Sequence, residues 1–151
     1  MENFTPLQQL IQTLSQRVYS CLGPGHNESI YQKALFYELY NYNIRCDMER
    51  HIDVSYTDTL GNTHHLVSER IDIFIHKNDT LDYEELKDSN IILELKALTR
   101  TINRTEEVQV LKYYKELAKE NTPVTYGMVI NFPQASSKNN LEIIELKIID
   151  K

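Results

Sequence analysis

The 151-residue chain has no tryptophan, two cysteines, four glycines and four prolines. Two cysteines, Cys21 and Cys46, are too few for a disulfide scaffold or a four-cysteine zinc site, and they point to a reducing intracellular compartment, cytoplasm or nucleus. Scarce glycine and proline exclude a linker or a collagen-like repeat. No apolar run approaches the ~20 residues that a membrane span needs, and residues 1–5 lack the basic start and apolar stretch of a signal peptide. Neither membrane insertion nor secretion is expected. Positive charge is also short: 16 Lys and Arg stand against 22 Asp and Glu, a net charge of −6. That argues against a protein whose task is coating nucleic acid, which draws on excess Lys and Arg, but it leaves room for an enzyme that grips a phosphodiester through metal ions.

What is present is an ordinary globular composition, 41% hydrophobic and 25% charged, without internal repeat or linker, so residues 1–151 read as one domain. Over 6–21, Leu7, Leu10, Ile11, Leu14 and Val18 recur at helical spacing, Pro6 suits a first turn, and Gly23-Pro24-Gly25 stops the element. A second helix is expected from Glu28, capped by Asn27, with Ile30, Tyr31, Ala34, Leu35 and Leu39 as its apolar stripe. The period then changes. Residues 45–50 and 52–56 read as strands, 58–62 as a turn, and 70–76 and 90–96 as alternating strands on either side of an acidic surface loop at 77–89. A third helix opens with Thr105 as cap and buries Val108, Leu111, Tyr114 and Leu117 or Ala118; strands at 126–131 and 141–149 follow. This order predicts a mixed α/β domain, a central sheet with helices packed against it.

Chemistry is sought where polar residues interrupt apolar alternation. Glu94 and Lys96 lie two apart, so on a strand both point the same way, about 6–7 Å apart along the backbone. Asp72 points away from the face shared by Ile71, Ile73 and Ile75. If the two strands are neighbours, two carboxylates and one ammonium meet. Hard carboxylate oxygens suit Mg²⁺ or Mn²⁺, and a nearby lysine can orient or deprotonate a water and offset charge growing on a phosphorane. The tripeptide Glu-Leu-Lys occurs three times, at 85–87, 94–96 and 145–147, and only the middle copy has an upstream strand Asp and a downstream helix. Gln109 and Tyr113 share one face of that helix with Glu106, beside Lys112. Gln109 can hold a water or a phosphate oxygen, and Tyr113 can stack on a base or donate to phosphate, although on spacing alone a solvated helix surface is the plainer reading. Glu28 complements the dipole of a first helical turn and can also reach over the site as a further metal or water ligand.

The ordered set Gly25-His26-Asn27-Glu28-Ser29-Ile30-Tyr31, Arg70-Ile71-Asp72, Leu93-Glu94-Leu95-Lys96-Ala97, Gln109-Val110-Leu111-Lys112-Tyr113 and Ile130-Asn131-Phe132 resembles the GxxExxY family, a branch of the PD-(D/E)xK nuclease-like superfamily, over about residues 23–133. The Gln-x-x-x-Tyr helix is similar to that of RecB-type nucleases. The resemblance implies a restriction-endonuclease-like αβββαβ core, here with an extra N-terminal helix and C-terminal strand, and a Mg²⁺- or Mn²⁺-dependent nuclease acting on nucleic acid, DNA foremost. Asp72 and Glu94 would be metal ligands, Glu28 a helical acid near the metal, Lys96 the residue serving the attacking water, and Gln109 an auxiliary polar group. Two departures stand out: the acidic stretch at 77–89 is long for the family, and Glu106-Glu107 occupies a place where a more basic approach is expected.

Other features are weaker. His64 and His65 are adjacent, so on a strand they point to opposite faces and do not ligate one ion. Arg100, Arg104, Lys112, Lys115 and Lys119 form a locally basic region diluted by four glutamates; a solvated mixed-charge face is its default, with Arg100 and Arg104 as the candidates for guiding phosphate and Lys112 and Tyr113 as further nucleic-acid contacts. Two alternatives stand beside the nuclease. One is a non-catalytic binding module whose acidic 77–89 loop docks a basic protein partner. The other is a homodimer that completes a basic groove across a two-fold axis.

Overall fold

The computed structural model describes residues 3–134 and 144–150. Helices α1 (Pro6–Leu22) and α2 (Glu28–Asn41) come first, then the strands β1 (Cys46–Thr57) and β2 (Thr63–Ile75), a 3-10 turn (Glu84–Leu86), β3 (Asn90–Lys96), α3 (Arg104–Lys119), β4 (Val124–Asn131) and β5 (Glu145–Asp150). Local chemistry sets the boundaries. The Thr5 hydroxyl accepts the Gln8 N–H and the Gln8 side chain accepts the Thr5 N–H, so a capping box starts α1 with Pro6 in its first turn. Gly23, at φ 70°, ends it. The cap of α3 is Asn103 rather than Thr105, and Glu106 closes its capping box. The two strands expected at 45–50 and 52–56 are one continuous β1, paired with β2 from Cys46 opposite Ile75 to Thr57 opposite Thr63. Of the last expected strand, 141–143 lie outside the described residues.

The five strands form one sheet in the order β1-β2-β3-β4-β5. Only β3 and β4 run parallel; the helix α3 makes the crossover that such a pair requires. Helices α1 and α2 cover one face, where Leu7, Ile11, Tyr31 and Leu35 meet Ile73, Ile91, Leu93, Leu95 and Met128. On the other face α3 packs Val110, Tyr113, Tyr114 and Leu117 against Phe74, Ile92 and Val129. A side chain at Gly127 would bring its Cβ to 2.6 Å from a Val110 methyl, so glycine lets α3 lie close on β4. The result is the α/β arrangement, helices on both faces of a mixed sheet, that the sequence predicts.

Three expectations about packing change. Ile71 packs with the α3 side instead of with Ile73 and Ile75. The reason is that β2 pairs with β3 only over residues 73–75, and before that point the hairpin leaves the sheet, with Glu49 in β1 at φ 55°. Ile30 and Val108 are 38% and 49% exposed, on the outer faces of their helices. The 77–89 segment is anchored rather than merely laid on the surface: Leu86 is fully buried, Leu81 and Tyr83 pack on the core, and Glu85 accepts from the Thr5 hydroxyl at 2.9 Å. That segment also lies at the Asn90 end of β3, opposite to the end that carries Glu94 and Lys96.

Candidate active site

β3 is the central strand, and Glu94 is the one charged residue buried in it, at 2% exposure. By alternation it shares the α3 face with Ile92 and Lys96. The register of β2 on β3 (Ile73 opposite Leu93, Ile75 opposite Ile91) would next set Ile71 opposite Leu95, but the strands part there. In place of continued pairing, Asp72 Oδ2 accepts the Leu95 N–H at 2.7 Å. The carboxylate of Asp72 is thus drawn into the gap beside Glu94.

Lys96 Nζ lies 3.7 Å from Glu94 Oε2. The other oxygen, Glu94 Oε1, is buried and has no hydrogen-bond partner. Burial raises the Glu94 pKa well above the carboxylate range; the charges of Asp72 and Glu28 add to the rise, and Lys96 opposes it. A buried carboxylate oxygen without a donor costs free energy unless a cation or proton meets it.

The first residue of α2, Glu28, brings a third acid. Its carboxylate accepts the Ala97 N–H, just past the end of β3, and its pKa is raised, first by burial and then by Asp72, against the opposing pull of Lys96. The loop ahead of it is pinned on several sides. Gly25, at φ 102°, donates its N–H to Gln134 at 2.9 Å, the Tyr31 hydroxyl donates to Gly23 O at 2.7 Å, and the Tyr31 ring stacks on Phe132 at 4.4 Å. That is what glycine, acid and tyrosine at three-residue spacing accomplish here: glycine allows the turn, tyrosine clamps it, and Glu28 faces inward. One turn further on, Gln32 is 4% exposed and donates to the backbone carbonyl of Asp72 at 2.6 Å. It ties the helix of Glu28 to the strand of Asp72. Sequence reasoning passed over this residue, although a glutamine between Tyr31 and Leu35 on a buried stripe is the available signal.

Glu28, Asp72, Glu94 and Lys96 therefore converge. The remaining candidates are placed differently. Gln109 donates to the Tyr113 hydroxyl at 3.0 Å, and that hydroxyl donates to Arg70 O at 3.1 Å, so the pair braces α3 against β2 two residues before Asp72. Tyr113 is 2% exposed, and its ring is not available to stack on a base. Arg100 sends two N–H groups to Glu106 at 2.8 and 2.9 Å, and Lys112 pairs with Glu69 at 2.6 Å. Both cations are spent within the protein instead of standing free for phosphate. Arg104 is exposed and, among the described residues, makes no ion pair. The Glu106 carboxylate is buried, accepts the Asn103 N–H, and is held down at about 2, chiefly by its hydrogen bonds with Arg100. Its place near the site is thus a helix cap and an Arg100 anchor.

Among the described residues no group of three or more His, Cys, Asp or Glu side chains is assembled to hold a metal ion. The donors that fit one are the paired carboxylates of Asp72 and Glu94, with the partnerless Glu94 oxygen. That is a hard, two-carboxylate set of the kind Mg²⁺ and Mn²⁺ accept while keeping several waters. His64 sits 2.7 Å from Asp58 at the hairpin turn, away from this set. Burial pushes the Cys46 thiol up to about 12, which leaves it inert.

The profile of a family described as the PD-(D/E)XK nuclease superfamily matches residues 5–145. No curated protein matches the chain. Among solved structures, the crystal structure of SSO0001 aligns with a TM-score of 0.54 and 13% identity, covering 100% of this chain and 69% of that one. This is a likeness of fold. No helix among the described residues is long and apolar enough to cross a membrane.

Proposed function

This chain belongs to the PD-(D/E)XK nuclease superfamily, and on that premise we propose that it hydrolyses the phosphodiester bonds of nucleic acid, DNA foremost, with a divalent cation. The observation that carries the reading is the partnerless, buried oxygen of Glu94, with Lys96 3.7 Å from its other oxygen. Asp72 and Glu94 would hold Mg²⁺ or Mn²⁺, and Glu28 would join through water. Once bound, such an ion polarises a phosphoryl oxygen and acidifies water.

The chain supplies the rest. Lys96 orients the attacking water and offsets the charge that grows on the phosphorane. Glu28, fixed by the Ala97 N–H, holds the far side of that water and receives its proton, a task suited to a carboxylate whose pKa is raised. Gln109 acts through Tyr113 by keeping the backbone before Asp72 in place. Arg104, exposed at the start of α3, is the remaining guide for the phosphate backbone. Within the superfamily the clamped Gly25–Glu28–Tyr31 turn and the Gln109–Tyr113 helix favour the GxxExxY branch and its RecB-like motif.

The test is purified protein on single- and double-stranded DNA and RNA with Mg²⁺, Mn²⁺ or EDTA. Cleavage with either ion and none in EDTA is expected; cleavage that persists in EDTA, or none on any substrate, contradicts the proposal. A second reading is a binding module that takes a basic protein on the 77–89 segment, favoured by the exposure there of Asp79, Asp82, Glu84 and Asp88. Calorimetry separates the two, because the module takes up no Mn²⁺. A homodimer that shares a basic groove is checked by light scattering.

A further inference from the structure

A groove of about 1240 Å³ opens at the other end of the sheet from the carboxylates, between the C-terminal half of α2, the base of the β1–β2 hairpin and the 77–80 segment. One wall is aromatic: Phe36 is half-buried, and Tyr40 is 70% exposed. The opposite wall is cationic. Arg45 and Lys77 both line the groove at the hairpin base, where the His76 N–H donates to Arg45 O at 2.9 Å. Both are exposed and, among the described residues, neither makes an ion pair. Eight other Lys and Arg side chains, from Arg50 to Lys147, do pair with an acid.

The acids on the lining, Asp47 and Asp79, are fewer than the cations Arg45, Lys77 and Lys87. Asp47 is taken by His76 at 2.9 Å and Arg50 at 3.5 Å, and Asp79 is the other acid on the lining. A third cation, Lys87, lines the groove and is held only by the exposed Glu84 at 3.5 Å. In a chain of net charge −6, two unpaired cations on one groove attract an anion. Arg45 offers the planar fork that grips a phosphate through two N–H groups, Lys77 a mobile point charge, and the Tyr40 ring a face for a flat aromatic group. The volume is generous for a small ligand and admits a base, a sugar and more than one phosphate.

We propose that this groove is a second site, separate from the carboxylate centre, that binds a phosphate next to an aromatic base: Arg45 and Lys77 take the phosphate and Tyr40, backed by Phe36, takes the base. The ligand is either a free nucleotide or one unit of a nucleic-acid strand, which share this chemistry.

The test uses the full chain in EDTA, where nothing depends on turnover, with a fluorescent N-methylanthraniloyl ATP as probe. Saturable binding is expected, weakened at least tenfold by Arg45→Glu or Lys77→Glu and unchanged by Asp72→Asn. Tyr40→Ala should weaken competition by ATP and leave competition by pyrophosphate as it was. All three groove residues are exposed, so melting temperatures of these variants should match the wild type. Stronger competition by an eight-residue thymidine oligonucleotide than by ATP assigns the groove to a strand, and the reverse assigns it to a free nucleotide. Absence of probe binding, or wild-type affinity in both glutamate variants, overturns the site and leaves the nuclease reading untouched.

Discussion

Asp72→Asn is expected to lower metal-dependent cleavage about a thousandfold or more while the protein stays folded. The asparagine Oδ1 still accepts the Leu95 N–H, which Asp72 Oδ2 holds at 2.7 Å, so the gap between β2 and β3 keeps its shape. What disappears is one of two negative charges around the cation, and several kcal/mol of transition-state stabilisation depend on that ion. Lys96→Met should cost about 10²–10³-fold, the loss typical when one group aimed at developing charge is removed. Its KM should change little, because the lysine acts mainly on the transition state. Steady-state kinetics in Mn²⁺ with circular dichroism as a folding check reads both. A folded Asp72→Asn protein that cleaves like the wild type would remove the carboxylate pair from the chemistry.

Glu94→Gln should abolish cleavage and yet stabilise the metal-free protein at alkaline pH. Burial and the facing Asp72 raise the pKa of Glu94 in the fold, whereas the unfolded chain ionises it normally. The sign follows: where both states are protonated, in acid, the group contributes nothing. As pH rises past the ordinary carboxylate range, the unfolded state ionises first, and stability declines until the folded-state pKa is passed. Each pH unit in that window costs up to about 1.4 kcal/mol, and a domain of this size melts about 2–4 °C lower per kcal/mol. Glutamine has no proton to lose. Thermal melts in EDTA should therefore coincide at pH 4 and separate by several degrees at pH 8, the variant being higher. Mn²⁺ should raise the wild-type melting temperature at pH 8 and leave the variant nearly where it was. Coincident melts at both pH values would contradict the electrostatic account of Glu94.

Alternation with period two was enough to put Glu94 on the face away from Leu93, because strand geometry fixes it locally, whereas in β2 the alternation breaks at Ile71 and the Asp72 carboxylate is placed by its contact with the Leu95 N–H. The helix starts at Pro6 and Glu28 were legible for a similar reason, since Pro6 suits a first turn and Asn27 takes the N-cap position, although its side chain accepts from the Ser29 hydroxyl and caps no backbone N–H. What could not be read are matters of tertiary contact. Ile30 and Val108 fit helical spacing as well as their buried neighbours do, but the helix turns only one stripe to the sheet, and spacing does not say which. Gln109 and Tyr113 share a face, but whether that face meets solvent or β2 depends on the docking of α3. The pairing of Lys112 with Glu69 joins residues 43 apart, and no local pattern encodes it. Asn103 was missed as a cap although Asn103-x-x-Glu106 carries the capping-box signature, because Thr105 satisfied the same rule nearer to the acids. The premature parting of β2 from β3, which creates the carboxylate gap, has no signature in either strand alone.

A crystal soaked in Mn²⁺ and measured for anomalous scattering tests the central claim most directly. The account predicts one strong peak within coordination distance of both Asp72 and Glu94, with the Glu94 oxygen that lacks a partner turned onto it and Lys96 alongside. A saturating soak that leaves this point blank, or a peak that touches neither carboxylate, contradicts it.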